Sequence, residues 1–114
     1  MFRPEPFRCD VKEGRASAVV TPHGELDLET VEEARAALRS VSTKPSVTLD
    51  LRRLSFIDST GLRLILEIDA HARQDGFNFF VVRGKHDIQR VFEITGTGNH
   101  LAFIDAPEDL EPPT

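Results

Sequence analysis

The 114-residue sequence predicts one α/β domain whose mixed, mostly parallel sheet carries helices mainly on one face. Strand-like and helix-like segments alternate along the chain, and such units are joined in parallel sheets. Its length suits one hydrophobic core and is too short for two. The stretch 47–51 alternates apolar and polar residues, as a strand buried on one face does.

Each element follows from local signals. Phe7 to Lys12 and Ala16 to Pro22 read as short strands joined by Glu13-Gly14-Arg15, and glycine in so short a gap predicts an antiparallel hairpin. Gly24-Glu25-Leu26-Asp27 then leads into a helix over 29–41. Asp27 or Thr30 is suited to cap it, Thr30 with Glu33 matches a capping box, and Val31, Ala34, Leu38 and Val41 recur at helical spacing. Pro45 separates this helix from the strand Val47 to Leu51. A second helix follows Asp58, with Leu62, Ile65, Leu66, Ile68 and Ala72 inward and Gly76 as its stop. Phe77 to Val82 is the most apolar strand and is expected to be central. Asp87 to Thr95 forms a short helix ended by Gly96, and Leu101 to Ile104 closes the sheet. The predicted order is ββαβαβαβ. Residues 1–6 are expected to be a flexible N-terminus, 7–105 the domain, and 106–114 an acidic, proline-rich, solvated tail.

Composition narrows the function. A net charge of −5 with no Lys/Arg cluster argues against direct nucleic-acid binding. No apolar run is long enough to span a bilayer, and the first residues lack the apolar core of a signal peptide. The single cysteine, Cys9, rules out an internal disulfide and suits a reducing cytoplasm, the expected location. A compact acidic domain of this size is expected to be monomeric when free.

The densest chemistry lies at Asp58-Ser59-Thr60-Gly61, where an acid, two hydroxyls and a glycine open the second helix. Asp58 as N-cap accepts from the amides of Thr60 or Gly61 and turns Ser59 toward solvent. Two readings stand at this point. Asp, Ser and Thr are favoured capping residues, so the tetrad is explained by capping alone. A hydroxyl on the first turn is also a suitable phosphate acceptor, because the helix dipole favours negative charge there. Gly61 costs about 1 kcal/mol against alanine in a helix, which points to a need for access at that spot.

Catalytic readings are weaker. A nucleophile elbow requires glycine two residues before the serine, where Ile57 stands. His23, His71, His86 and His100 fall in four different segments, so none is assignable as a base. Asp69 and His71, two apart on a helix, face different ways, and no metal site is expected. Gly96-Thr97-Gly98 follows a helix rather than a strand, so it reads as a helix end and loop, not a dinucleotide fingerprint. Arg52-Arg53 is a solvated turn or a partner contact. No enzyme activity and no cofactor are expected.

The stretch Leu49-Asp50-Leu51-Arg52-Arg53-Leu54-Ser55-Phe56-Ile57-Asp58-Ser59-Thr60-Gly61-Leu62 resembles the signature of the STAS domain family, and more narrowly of bacterial anti-sigma factor antagonists. Gly24-Glu25-Leu26-Asp27 and Val91-Phe92-Glu93-Ile94-Thr95-Gly96 match two further landmarks in the same register, so the likeness covers residues 7–105. It implies partner switching. The unphosphorylated form would bind an anti-sigma factor that is also a serine-protein kinase, freeing a sigma factor. Phosphorylation at Ser59 would abolish binding, and a serine phosphatase would reset the switch. Asp27, Asp58, Thr60, Gly61, Leu62 and Arg63 would form the partner-binding edge. Two departures from the family pattern, the longer Thr97-Gly98-Asn99-His100 and Arg63 in place of a small residue, bear on which partner is chosen. The alternative is a STAS scaffold module that is never phosphorylated, in a stress-sensing assembly or beside a lipid transporter.

Overall fold

The structure is a computed structural model, and it describes residues 5–107. The elements are β1 (Arg8–Glu13), β2 (Ser17–Leu26), α1 (Val31–Ser40), β3 (Ser46–Asp50), β4 (Leu54–Ile57), α2 (Ser59–Asp75), β5 (Asn78–Val82), α3 (His86–Thr95), a 3-10 turn over Thr97–His100, and β6 (Phe103–Ile104). The order ββαββαβαβ thus has one strand, β4, more than predicted. Most of the proposed N-terminal and C-terminal tails, residues 1–4 and 108–114, lie outside the described residues.

The sheet runs β1-β2-β3-β5-β6, with β4 paired to β2 off that path. Only β1 and β2 are antiparallel, joined by the predicted hairpin; all other pairings are parallel. The middle strand is β3, so the apolar β5 is interior but not central.

β2 is longer than predicted because it serves two neighbours. Its first half pairs with β3, ending at Val20 opposite Leu49. Its second half pairs with β4, from Gly24 opposite Leu54 to Leu26 opposite Ile57. Pro22 falls between the two sets, where no parallel partner needs its missing N–H. The register slips at Gly24, whose φ of +93° suits glycine and marks a bulge that turns the strand toward β4.

One core lies under the helices. Ala18, Val20, Val47, Leu49, Phe79 and Val81 from the sheet meet Ala34, Leu38, Leu64, Ile65, Ile68, Ile88 and Phe92 from the helices. The side chains on the opposite face of β3 are buried as well, which corrects the one-sided reading of 47–51. Thr48 is 3% exposed and Asp50 5%. Thr48 lies in a cross-strand row between half-buried Val19 and Phe80, and Arg52 folds back onto Asp50 with its Nε and Nη2 donating to both carboxylate oxygens. Residues inside a sheet are screened by both neighbours, so polar side chains there are buried without a covering layer.

The helix ends follow their sequence signals with one exception. Gly76 and Gly96 end α2 and α3 in the left-handed conformation. Thr30 precedes α1, but no capping box forms. Its Oγ1 donates to the carbonyl of Glu25 and accepts from the amide of Asp27, so it braces the preceding loop instead.

α1 and α2 are clamped by charge. Arg35 reaches Glu67 through Nε at 2.9 Å and Nη2 at 3.0 Å, and also pairs with Glu32 one turn earlier. The Arg35 guanidinium holds the Glu67 carboxyl below the ordinary glutamate value. A depressed carboxylate pKa adds stability at pH above about 4.5, lost as pH falls through the folded value. Glu67→Gln is therefore expected to cost stability at pH 7 but to leave the midpoint less sensitive to acid below pH 4.5. Urea midpoints of both proteins between pH 7 and 3 check this; parallel curves would remove the clamp's pH role.

Cys9 sits half-buried on β1, packed against the core. Burial, with the charges of Glu33 and Asp10 nearby, pushes its thiol from 9.0 up to about 11. That difference leaves about 100-fold less thiolate at pH 8, partly offset by the greater nucleophilicity of a more basic thiolate, so exchange with an aromatic disulfide reagent is expected to be about 10-fold slower or more in the folded protein than in urea. Equal rates would show the thiol to be open. No helix among the described residues is long and apolar enough to cross a membrane.

Candidate functional site

β4 is the element that aims the Asp58 junction. Its four residues are buried only at the ends, Leu54 and Ile57, with Ser55 and Phe56 outward. The Ser55 hydroxyl donates to the Gly24 carbonyl at 2.9 Å, and the Asp58 amide to the Leu26 carbonyl at 3.2 Å. These bonds fix the start of α2 against the end of β2.

Asp58 is the N-cap in extended conformation, and one carboxylate oxygen accepts from the amides of Thr60 at 2.9 Å and Gly61 at 3.1 Å. The Leu62 amide closes the first turn on the Asp58 carbonyl at 3.0 Å. Ser59 is then the first helical residue, exposed, and its hydroxyl makes no hydrogen bond among the described residues. The capping reading is thus realised, and it leaves Ser59 outward as the phosphate-acceptor reading requires. The two first-turn amides that would welcome a phosphate are already taken by Asp58.

Asp27 lies in the loop after β2. Its carboxylate accepts from the amides of Glu29 at 3.0 Å and Thr30 at 3.3 Å, and its carbonyl accepts from Val31 at 2.9 Å. Asp27 therefore caps the turn that enters α1. The Leu26 carbonyl bond to Asp58 ties this loop to the Ser59 junction.

The edge drawn from the sequence splits in two. Ser59 and Arg63 are exposed, and Asp27, Asp58 and Thr60 are half-buried. Gly61 and Leu62 are buried and offer no outer face. The access reading of Gly61 is therefore corrected. A Cβ there would sit 2.8 Å from Ile57 Cγ1, 2.9 Å from Leu26 Cγ and 2.9 Å from the Leu26 carbonyl oxygen. Glycine is required so that α2 can lie close against the end of β2.

Sequence reasoning missed two apolar side chains on the elements that frame the junction. Leu28, in the Asp27 loop, is 75% exposed, and Phe56, on β4 two residues before Asp58, is 47% exposed. Leu28 sits between Asp27 and Glu29 outside any periodic pattern, which is the one signal that marks it. Both stand outward on the segments that lead into the two helix starts of the junction.

The fold and junction together define a small α/β module that presents an outward, unbonded serine hydroxyl at the first turn of a helix. Residues 9–109 match the family model of the STAS domain, and the chain belongs to the STAS domain family. The anti-sigma-B factor antagonist of Staphylococcus epidermidis is 36% identical over 76 residues, which cover 64% of this chain and 69% of that protein. The anti-sigma F factor antagonist of Lysinibacillus sphaericus is 30% identical over 102 residues, covering 83% and 82%. The crystal structure of an anti-sigma factor antagonist from Mycobacterium paratuberculosis superposes with a TM-score of 0.78 at 21% identity, covering 96% of this chain and 94% of that one.

Proposed function

We propose that this protein is an anti-sigma factor antagonist that works by partner switching. Its unmodified form binds an anti-sigma factor that is also a serine-protein kinase, and so releases a sigma factor in the cytoplasm. Phosphorylation at Ser59 ends that binding, and a serine phosphatase restores it. Ser59, Asp58, Thr60 and Arg63, with Asp27, Leu28 and Phe56, form the docking edge, while Gly61 and Leu62 hold it in shape. The chain acts as a binding module and brings no catalytic group of its own; the kinase supplies ATP, metal and base.

The observation that carries this reading is the outward, unbonded Ser59 hydroxyl beside a cap that is complete without it. A phosphate brings about −1.5 to −2 charge. Because Asp58 holds the Thr60 and Gly61 amides, that charge would stand outside the helix start next to a carboxylate. Like-charge repulsion and lost desolvation energy would fall on the docked partner, and the domain itself would keep its fold. The relatives named as anti-sigma factor antagonists support the class of partner.

The test is intact-mass spectrometry after incubation with native-host lysate and ATP. Wild type is expected to gain one phosphate and Ser59→Ala none. If Ser59→Ala is modified as fully as wild type, the acceptor lies elsewhere. If neither is modified in a lysate that phosphorylates a control protein, the scaffold reading takes its place.

A further inference from the structure

Arg63 is exposed on α2, and its side chain makes no ion pair or hydrogen bond among the described residues. On a helix a side chain meets those three and four positions away. For Arg63 these are Ser59, Thr60, Leu66 and Glu67. Glu67 is the one acid of the four, and it is already held from α1. Arg35 reaches it at 2.9 and 3.0 Å, using both carboxylate oxygens, and Arg39 at 3.5 Å. The cation of Arg63 is thus left without its helical acid, and one turn back it has only the two hydroxyls of the junction.

We propose that Arg63 is the internal counter-ion of Ser59 once that serine carries a phosphate. This rests on the reading of Ser59 as the phosphate acceptor. Helical side chains tilt toward the N-terminus, so Arg63 leans over the turn that Ser59 opens. An acid four residues before a base is the favoured order for such a pair. The first-turn amides of Thr60 and Gly61 are not available to the phosphate, because Asp58 holds them. Between Leu54 and Glu67 the chain has no other Lys or Arg. The guanidinium fork donates two N–H groups to two phosphate oxygens, a bond that a lone ammonium does not reproduce. Pairing keeps the modified helix start in place beside the Asp58 carboxylate. It also draws Arg63 away from the docking edge. Modification therefore removes a cation from that edge as well as adding an anion, and an acidic group of the partner that faced Arg63 loses its counter-charge.

Phosphoserine placed at position 59 during translation of the full chain makes the test independent of any kinase. Phosphorus NMR then follows the second ionisation of the phosphate, ordinarily at about pH 6. Its midpoint is expected to lie about 0.5 lower with Arg63 present than with Arg63→Gln, and the gap should narrow in high salt. Asp58 and the helix dipole also face the phosphate, but they are common to both proteins, so the gap reports Arg63. The Arg63 Nε–H signal should move with the same midpoint. Arg63→Lys should recover part of the gap, since the charge is kept and the fork is lost. Arg73→Gln, ten residues and about 15 Å further along α2, removes an equal charge and should leave the midpoint in place. Equal midpoints with Arg63 and with Arg63→Gln, or an equal shift from Arg73→Gln, would overturn the pairing. Failure of the acceptor reading looks different: the lysate experiment would leave Ser59 unmodified while the two midpoints still stood apart.

Discussion

Ser59→Asp is expected to weaken binding to the cognate anti-sigma factor by about 30- to 100-fold while leaving the thermal midpoint within a degree or two of wild type. The carboxylate mimics part of the phosphate charge at an exposed position, so the cost falls on the interface. A charge buried without a partner at a docked surface costs about 2–2.7 kcal/mol, which is the fold-change stated. The helix start does not suffer, because negative charge on a first turn is favourable. Ser59→Ala should bind within about threefold of wild type, since the hydroxyl has no bond to lose and a methyl of similar size replaces it. Titration calorimetry with the purified partner separates the two. A Ser59→Asp protein that binds as tightly as wild type would favour the scaffold reading.

Gly61→Ala is expected to destabilise the domain by about 2 kcal/mol, the largest effect of any single methyl at this site. Alanine gains about 1 kcal/mol of helix propensity over glycine. Against that, the new methyl would overlap Leu26 and Ile57, and overpacking of this kind costs about 1–3 kcal/mol. The upper end applies here because one of the contacts is the Leu26 carbonyl, which cannot retreat without straining its bond from the Asp58 amide. Urea unfolding measures the loss directly. Were the glycine present only to admit a partner, alanine would leave stability equal or raised and reduce binding alone. The two readings thus predict opposite signs in one experiment.

The contrast between Gly61 and Ser59 shows what the sequence could carry. Capping is decided within four residues, so Asp58, its amide partners and the outward Ser59 were legible from spacing. The reason for Gly61 lies mainly at Leu26, thirty-five residues earlier, whose approach no local pattern contains. β4 was invisible for a related cause. Leu54 to Ile57 is short and buried only at its ends, so neither period appears, and its partner is the half of β2 that lies beyond a proline. Pro22 and Gly24 look like the end of a strand, but here they mark the point where β2 changes neighbours. Thr48 and Asp50 read as solvent-facing because alternation reports polarity; their burial comes from β2, β5 and Arg52 alongside. Thr30 had the letters of a capping box, and tertiary geometry gave its hydroxyl the Glu25 carbonyl instead.

The double service of β2 also sets an order of assembly. The β1–β2 hairpin needs only neighbouring residues and forms within microseconds in isolated chains. Every other pairing spans a helix, as Ser17 with Ser46 and Ser46 with Asn78 do. Loop closure must precede those contacts, so folding should run at the pace of mixed α/β domains, slower than a helical bundle. During synthesis the hairpin would emerge first, its second strand waiting with one long edge bare until β3 and then β4 arrive to share it.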